Sequence, residues 1–309
     1  MLEDFLSIRD LSLYEFNQIL DMSQDIKEHP QRFRTKLKDK ILAMIFEKPS
    51  LRTRVSFEVG MLELGGKAIY LSPFDIQLGS REAVYDVGKN LERWVDGIMI
   101  RTFGHQIALD LAQACYIPVI NALTDLLHPC QAMADFFTMR EKKGSLSQLK
   151  LAYIGDGNNV CHSLLFASAK TGCQMIAATP EGFEPKREIL QQAEADAQET
   201  GARLSLTNDP HQAAEEADVI YTDVWASMGQ EEEKEKRATL FAPFQVNEEL
   251  MSIAKEDAQF MHCLPAHRGQ EVTDGVIDSA QSVVFDQAEN RLHVQKIIML
   301  LLMGTKKRP

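Results

Sequence analysis

Residues 41–66 read ILAMIFEKPSLRTRVSFEVGMLELGG, and this stretch decides the fold class. It opens with an apolar, β-branched run, Ile41–Glu47, and continues through a polar turn into apolar residues at helical spacing, Val55, Val59 and Leu62. The order of strand, turn and helix is typical of a parallel sheet covered by helices. Ligands in such sheets bind beyond the carboxyl ends of the strands, so the residues that directly follow each strand are the first candidates for function.

The same alternation continues along the 309-residue chain, a length that suggests two domains of roughly 150 residues each. We predict an α/β fold: two parallel-sheet α/β domains with the active site in the cleft between them. The first domain covers residues 1–142 and the second covers residues 146–289, with a polar hinge at Glu141–Ser145. The apolar last helix, 290–309, is expected to pack back on the first domain. Further strands are predicted at Ala68–Ser72, Gly97–Arg101, Pro118–Ala122, Leu149–Gly155, Gln174–Thr179, Arg203–Thr207, Asp218–Asp223, Gln259–Leu264 and Ser282–Asp286.

Charge, cysteine content and hydropathy argue against several classes of protein. The net charge of −12 makes a nucleic-acid partner unlikely, because such binding needs a clustered basic face. The five cysteines are odd in number and form no CxxC pair, so we expect no disulfide framework, no metal site and a reducing cytoplasm. The acidic start of the chain does not resemble a signal peptide. The longest apolar run, Ile297–Met303, is far shorter than the ~20 residues that span a bilayer, so no membrane partner is expected.

The polar turn after the first strand is a candidate anion site. Ser50 is a good helix N-cap, and a helix N-terminus offers free N–H groups and a positive dipole end. Arg52 and Arg54 add bidentate donors, and Thr53 adds a hydroxyl. The alternative is a capped surface helix whose arginines are solvated.

A second candidate group lies at residues 101–131. Pro129 suits the first turn of a helix, so His128 and Gln131, three residues apart at its start, can point at one ligand. Arg101 closes the predicted strand that precedes this region. The alternative for His128 alone is a helix-cap or core histidine.

The second half of the chain carries three further candidates. The turn Gly155–Val160 partly matches a dinucleotide-binding fingerprint, but Val160 replaces its third glycine. A nicotinamide enzyme, with Glu181 beyond the next strand, therefore stays open as an alternative of a different class. Asp223 ends a predicted strand and is either a cap or a carboxylate that holds an ammonium group. Cys263 lies on a strand, where a cysteine is usually inert packing.

Five short motifs resemble those of the aspartate and ornithine carbamoyltransferases, in the family's order and over essentially the whole chain. The family's Ser-Thr-Arg-Thr-Arg, His-Pro-x-Gln, Gly-Asp-Gly-Asn-Asn, Asp-x-x-x-Ser-Met-Gly and His-Cys-Leu-Pro match Ser50–Arg54, His128–Gln131, Gly155–Asn159, Asp223–Gly229 and His262–Pro265. Leu51 departs from the family's usual threonine, and Val84–Gly88 departs from its commoner Lys-Asp-Thr pattern. The last three motifs resemble those of the ornithine branch of the family. The aspartate enzymes lack the cysteine of the His-Cys-Leu-Pro motif.

The resemblance implies a role for each matching residue. The implied carbamoyl phosphate-binding residues are Ser50, Leu51, Arg52, Thr53, Gln77, Arg101, His128, Gln131, Cys263, Leu264 and Arg291. The implied ornithine-binding residues are Asn159, Asp223, Ser227 and Met228, and the implied catalytic residues are Cys263, Arg101, His128 and Asp223. In the family the loop that contains Gln77 reaches a neighbouring subunit's active site, which implies a homotrimer or a multiple of trimers.

The chemistry explains these residue types. An amine attacks the carbamoyl carbonyl, so negative charge develops on its oxygen, and cationic or N–H donors aimed there lower the barrier. The amine of ornithine, with a pKa near ~10.4, must first lose a proton. Asp223 and Cys263 could orient the δ-amine, and Cys263 could receive the proton, without a covalent thioester. The expected products are citrulline and phosphate, in a step of arginine metabolism that needs no cofactor.

Three alternatives to this hypothesis stay open, and one further hypothesis concerns a mobile segment. The enzyme could use putrescine or an acylated ornithine instead of ornithine, or the chain could bind carbamoyl phosphate without catalysis. The charged run Gln230–Arg237 is predicted to be a solvated helix, and a mobile lid over the site is a hypothesis.

Overall fold

The computed structural model describes residues 2–76, 78, 81–226 and 234–304. The chain divides into two compact units, Met1–Phe137 with Glu289–Pro309 and Thr138–Ala288. In the described residues no helix is both long enough and apolar enough to cross a membrane.

The first unit is built on a parallel sheet of four described strands, in the order β2-β1-β3-β4. The strands are β1 Ile41–Phe46, β2 Lys67–Leu71, β3 Gly97–Arg101 and β4 Val119–Leu123. The central strands β1 and β3 are almost entirely buried, whereas the edge strand β2 is partly exposed. The chain passes from β1 to one side of the sheet and from β3 to the other, so the strand order reverses between β1 and β3. The residues that follow β1 and β3 are therefore neighbours.

The helices around this sheet begin with α1, whose N-cap Ser12 forms a capping box with Glu15. The others follow in chain order, and short 3-10 helices lie at Ile8–Asp10 and Pro30–Phe33. They are α1 Leu13–Glu28, α2 Leu51–Glu63, α3 Pro73–Ile76, α4 Val84–Trp94, α5 His105–Ala114 and α6 Pro129–Lys143.

The predicted apolar stripe of α2 is not its buried face. Val55 is 47% exposed and Leu62 is 62% exposed, whereas Phe57, Gly60 and Met61 are buried. Gly60 lies close to the last helix, because a Cβ there would be 2.9 Å from the methyl carbon of Met299, whose side chain would have to shift. The helix predicted from this spacing is present, but the spacing does not identify which face of the helix is covered.

The second unit contains a parallel sheet of five described strands in the order β7-β6-β5-β8-β9. Its strands are β5 Lys150–Ile154, β6 Gln174–Ala178, β7 Leu204–Thr207, β8 Val219–Thr222 and β9 Gln259–His262. Its helices are α7 Asn159–Thr171, α8 Arg187–Ala197, α9 Pro210–Ala214, α10 Lys234–Phe241, α11 Glu248–Ile253 and α12 Asp274–Ile277, with a 3-10 turn at Ala242–Phe244. The order reverses between β5 and β8, so the residues that follow these two strands lie side by side at a switch point.

The predicted strand Ser282–Asp286 is wrong. Ser282 forms only an isolated bridge to Phe260, and the last helix, α13, already begins at Val284 and runs to Met303. Val283 and Val284 at the start of this helix are buried, and a short apolar run cannot be told from a strand by periodicity alone. The last helix therefore starts before the predicted Asn290.

Candidate active site

The arginine turn lies between β1 and α2, at the switch point of the first sheet. Ser50 is the N-cap, and its Oγ accepts a hydrogen bond of 3.2 Å from the backbone N–H of Thr53, as its sequence position suggested. The Ser50 hydroxyl also donates to Oγ1 of the buried Thr53 at 3.1 Å. Arg52 is half-buried, whereas the Leu51 side chain is 74% exposed. Arg54 turns aside, with its guanidinium 4.0 Å from the centre of the Tyr70 ring.

Arg291 brings together residues that are far apart in sequence. Its Nη1 donates to Oε1 of Gln131 at 2.8 Å across 160 positions, and its Nη2 donates to Oγ1 of Thr53 at 2.9 Å across 238 positions. The amide of Gln131 is oriented from its other side, because its Nε2 donates to Asp135 at 2.8 Å. All four side chains are buried, so α2, α6 and α13 each contribute to one charged cluster in the first unit.

His128 and Arg101 stand at the same end of this unit. Both are buried, Arg101 at the last position of β3 and His128 just before α6. Burial, then the guanidinium groups of Arg291 and Arg101, hold the pKa of His128 well below its ordinary value. His128 is therefore a neutral imidazole at neutral pH, and the positive charge of the cluster comes from the arginines.

Lys48 is a cation that the sequence reasoning did not select. It is buried, and its ammonium nitrogen lies 4.1 Å from the centre of the Phe103 ring. Burial, then the nearby guanidinium of Arg101, lower the pKa of Lys48. Its position directly after β1, next to the arginine turn, was the available signal.

In the second unit, Asp223 follows β8 and is buried. Its Oδ1 accepts a hydrogen bond from the Cys263 thiol at 3.1 Å, and its Oδ2 accepts one from the Asn158 side-chain amide at 2.8 Å. The structure thus brings together Asp223 and Cys263, which the sequence singled out separately. The amide that reaches Asp223 is that of Asn158, a residue that the sequence reasoning did not select, whereas the carbonyl of the next residue, Asn159, accepts from the Ser163 hydroxyl at 2.9 Å.

The segment that carries Cys263 is organised by its neighbour His262. The backbone N–H of Leu264, a residue with a positive φ of 57°, donates to Nδ1 of His262 at 2.8 Å. Nε2 of His262 lies 3.3 Å from Oε1 of Glu271, and both side chains are fully buried. Burial alone would raise the pKa of Glu271, yet the imidazole of His262 and the backbone N–H of His267 hold that pKa below its ordinary value. Since Nδ1 of His262 accepts a hydrogen bond, the ring proton that faces Glu271 lies on Nε2.

Within the described part of the chain, Asp223, His262 and Cys263 form the one group whose ligand-type atoms all lie within 4.8 Å of one another. A carboxylate, an imidazole and a thiol are ligand types that zinc accepts. Here Nδ1 of His262 already accepts from Leu264, and its Nε2 faces Glu271. Metal binding would require these contacts to break, so hydrogen bonding accounts for the arrangement.

Arg237 contradicts the prediction that the run Gln230–Arg237 is solvated. It is buried on α10, its Nη1 lies 3.1 Å from the Asp156 carboxylate, and it donates to the Trp225 carbonyl at 2.9 Å. The guanidinium also lies 4.8 Å from the Phe183 ring. The error arose because a charged run indicates a solvated face on average, whereas an arginine with a carboxylate partner and aromatic neighbours can be buried. Residues 230–233 lie outside the described residues, as do the predicted site residues Gln77, Ser227 and Met228.

Two family models match the chain. Residues 3–141 match the carbamoyl-P binding domain of aspartate/ornithine carbamoyltransferases, and residues 147–302 match the Asp/Orn binding domain of the same proteins. The chain belongs to the aspartate/ornithine carbamoyltransferase family. The resemblance stated from the five sequence motifs is thereby confirmed.

Individual members of this carbamoyltransferase family agree in sequence and fold. The ornithine carbamoyltransferase of Anoxybacillus flavithermus is 54% identical over 303 residues, which cover 97% of this chain and 96% of that protein. The ornithine carbamoyltransferase of Thermococcus kodakarensis is 54% identical over 306 residues, with 97% and 96% covered. The solved structure of ornithine carbamoyltransferase from Pyrococcus furiosus is 52% identical, covers 99% of this chain and 98% of that chain, and gives a TM-score of 0.96. The predicted fold class of two parallel-sheet α/β domains is confirmed.

Proposed function

We propose that the chain transfers the carbamoyl group of carbamoyl phosphate to the δ-amine of L-ornithine, giving L-citrulline and phosphate. The observation that carries the proposal is the contact between Asp223 and the Cys263 thiol in a member of this carbamoyltransferase family. A buried carboxylate attracts a cationic amine and repels the side-chain carboxylate of aspartate, so it selects between the family's two acceptors. The relatives at 52–54% identity are named ornithine carbamoyltransferases, and one of them, from Pyrococcus furiosus, is named anabolic. The reaction is a step of arginine biosynthesis.

Carbamoyl phosphate, on this proposal, binds in the first unit. The buried cluster of Arg101, Arg291 and Gln131 supports this assignment, because a doubly charged phosphate needs fixed cations and N–H donors. Its proposed ligands are Ser50, Leu51 through its backbone N–H, Arg52, Thr53, Arg101, His128, Gln131 and Arg291, together with Gln77 and with Cys263 and Leu264 through their backbone.

The catalytic step follows from the same charges. As the amine attacks, negative charge grows on the carbamoyl oxygen, and Arg101 with the neutral His128 supplies donors whose orientation burial fixes in advance. A neutral imidazole donates a hydrogen bond without competing with the arginines for the phosphate. The leaving phosphate stays paired with the guanidinium groups, so the C–O bond breaks against a stabilised anion.

The proton of the ornithine ammonium is assigned to the Asp223–Cys263 pair. In the structure the Cys263 thiol donates a hydrogen bond to the Asp223 carboxylate, so the two groups form one hydrogen-bonded pair. The ammonium donates to a further lone pair of the Asp223 carboxylate, and its proton passes to the pair before the nitrogen lone pair attacks. Asn159, Ser227 and Met228 are the proposed ligands of the α-amino acid end.

Assembly, domain limits and location complete the proposal. We infer a homotrimer in which the Gln77 loop lies near a neighbouring subunit's site. An exposed apolar surface in the first unit supports an interface there, formed by Leu51, Val55, Leu62, Ile69 and Phe74. The functional domains are proposed as residues 1–142 with 290–309, and residues 146–289, in a cytoplasmic enzyme.

The test supplies carbamoyl phosphate with ornithine, putrescine, N-acetylornithine or aspartate in parallel and measures the carbamoylated product. Citrulline is the expected product from ornithine, and its absence would refute the proposal. Cys263→Ser and Asp223→Asn should each raise the KM for ornithine or lower kcat, with the KM for carbamoyl phosphate nearly unchanged. Cys115→Ser, which alters another half-buried thiol, is the matched control and should behave as the unmodified enzyme. Full activity of Cys263→Ser would remove Cys263 from the mechanism.

A further inference from the structure

We infer that Asn158 is a positioning residue that holds the Asp223 carboxylate in the one orientation that receives the δ-ammonium, and that Tyr153 in turn holds Asn158. This inference rests on the proposed function, because it concerns how the acceptor amine is oriented. Asn158 stands at the end of the turn Gly155–Asn159, directly before α7.

The orientation of the Asn158 amide is fixed by its hydrogen bonds. Its Oδ1 accepts from the backbone N–H groups of Val160 at 2.9 Å and Cys161 at 3.2 Å, which makes Asn158 the N-cap of α7. The oxygen can only accept and the nitrogen can only donate, so the amide cannot be turned around without losing these bonds. Its Nδ2 is therefore directed at Oδ2 of Asp223, 2.8 Å away.

Tyr153 contacts the side-chain amide of Asn158. Its ring is fully buried on β5 and stacks on that of Tyr221, with 6.0 Å between the centroids. The hydroxyl donates to the Asp156 carbonyl at 2.7 Å and lies 3.2 Å from Oδ1 of Asn158. Burial raises the pKa of Tyr153, so the hydroxyl stays a donor at every pH at which the enzyme works. The side chain of Asn158 is thus tied to the central strand of the sheet.

A carboxylate needs such support because its last torsion is soft and roughly two-fold. Among the described residues, Asn158 donates to Oδ2 of Asp223 and Cys263 donates to its Oδ1, and together these two donors define the plane of the carboxylate. The remaining lone pairs then face the acceptor amine in one arrangement. Without Asn158 the Asp223 carboxylate can rotate, so it is no longer held in the orientation that accepts a hydrogen bond from the δ-amine.

Three substitutions separate positioning from helix capping. Asn158→Ser keeps a good N-cap but removes the donor to Asp223. Asn158→Asp caps equally well but places a carboxylate against Asp223, so it should be the worse of the two, whereas a purely structural role would leave it equal or better. Tyr153→Phe keeps Asn158 itself and should act in the same direction but more weakly.

The experiment measures steady-state kinetics with ornithine and competitive inhibition by norvaline, which is the ornithine skeleton without the δ-amine. After the unmodified enzyme has produced citrulline, Asn158→Ser should raise the KM for ornithine by about tenfold to a hundredfold, the range for one lost hydrogen bond to a charged group. Inhibition by norvaline and the KM for carbamoyl phosphate should stay within about twofold, because neither ligand needs Asp223.

The outcomes are distinct. No citrulline from the unmodified enzyme would overturn the proposed function, and this inference with it. If the unmodified enzyme makes citrulline but the KM for ornithine is unchanged in Asn158→Ser, the inference is overturned and the proposed function stands. The same holds if Asn158→Ser weakens the binding of ornithine and of norvaline equally. If Asn158→Ser does not fold, Tyr153→Phe carries the same comparison, and an ornithine KM that does not change there would refute the coupling.

Discussion

Replacing Arg291 tests whether one side chain of the last helix completes the carbamoyl phosphate site. Arg291→Lys keeps a positive charge but replaces the planar fork, which can reach Gln131 and Thr53 at once, by a single ammonium. Arg291→Met removes the charge as well, and leaves two buried oxygens without their donor.

The magnitude follows from the two contacts of 2.8 and 2.9 Å. A hydrogen bond that involves a charged group contributes about 1.5–3 kcal/mol. The lysine variant loses one of the two, which corresponds to roughly a tenfold to hundredfold increase in the KM for carbamoyl phosphate. The methionine variant loses both hydrogen bonds, so its total loss of free energy is at most about 3–6 kcal/mol. This loss is divided between folding stability and substrate binding.

The assay is the dependence of citrulline formation on carbamoyl phosphate at saturating ornithine, together with urea unfolding of each variant. Lys296→Met is the matched control, because Lys296 is a buried cation on the same helix and pairs with Glu63 at 2.7 Å. The control should lower the free energy of unfolding while the KM for carbamoyl phosphate stays within about twofold. If Arg291→Lys behaves like this control, or changes the KM for ornithine instead, the assignment of Arg291 to carbamoyl phosphate is refuted.

Three further predictions concern stability and ionisation. Arg237→Met removes the guanidinium that pairs with the buried Asp156 carboxylate and should lower the free energy of unfolding by about 3–5 kcal/mol in urea titration, whereas adding Asp156→Asn should recover part of the loss. Gly157→Ala places a Cβ 2.2 Å from a backbone nitrogen and should lower the melting temperature by several degrees, while Gly104→Ala, whose Cβ would contact only a side chain at 3.6 Å, should not. His128, whose pKa burial and two guanidinium groups lower well below 6.5, should stay neutral in the folded enzyme, so its NMR signals should not shift between pH 8 and pH 6. As the pH falls, His128 is protonated in the unfolded chain before it is protonated in the folded enzyme. The free energy of unfolding should therefore decline below about pH 6.5. His128→Gln should weaken this decline, measured by chemical denaturation at several pH values.

The order of elements could be predicted because it depends on local patterns. Strand β3 has the predicted bounds, Gly97–Arg101, and β1 ends one residue before the prediction. Ser50 could be selected as an N-cap because a cap acts through its own backbone neighbours. Val284 could not be assigned, because a short apolar run suits a strand and a helix equally well.

Residues at the ends of strands were also open to prediction, but their partners were not. Asp223 and Cys263 each followed from position and resemblance, and the bond between them depends on the parallel pairing of β8 and β9. The sequence reasoning selected Asn159 as an ornithine ligand, but it did not identify the neighbouring Asn158, whose amide meets Asp223. Adjacent residues in a turn point in different directions, so only the backbone conformation decides which one reaches the partner.

The sequence by itself determined the α/β class, the family and the residue types that the chemistry needs, since these depend on local periodicity and on motifs in a fixed order. Tertiary structure alone decided that Arg291 meets Thr53 across 238 positions, and that Arg237 is buried against Asp156 rather than solvated. The physical reason is that burial and charge pairing are properties of a side chain's surroundings. Those surroundings are assembled from segments whose separation along the chain carries no information about their distance in space.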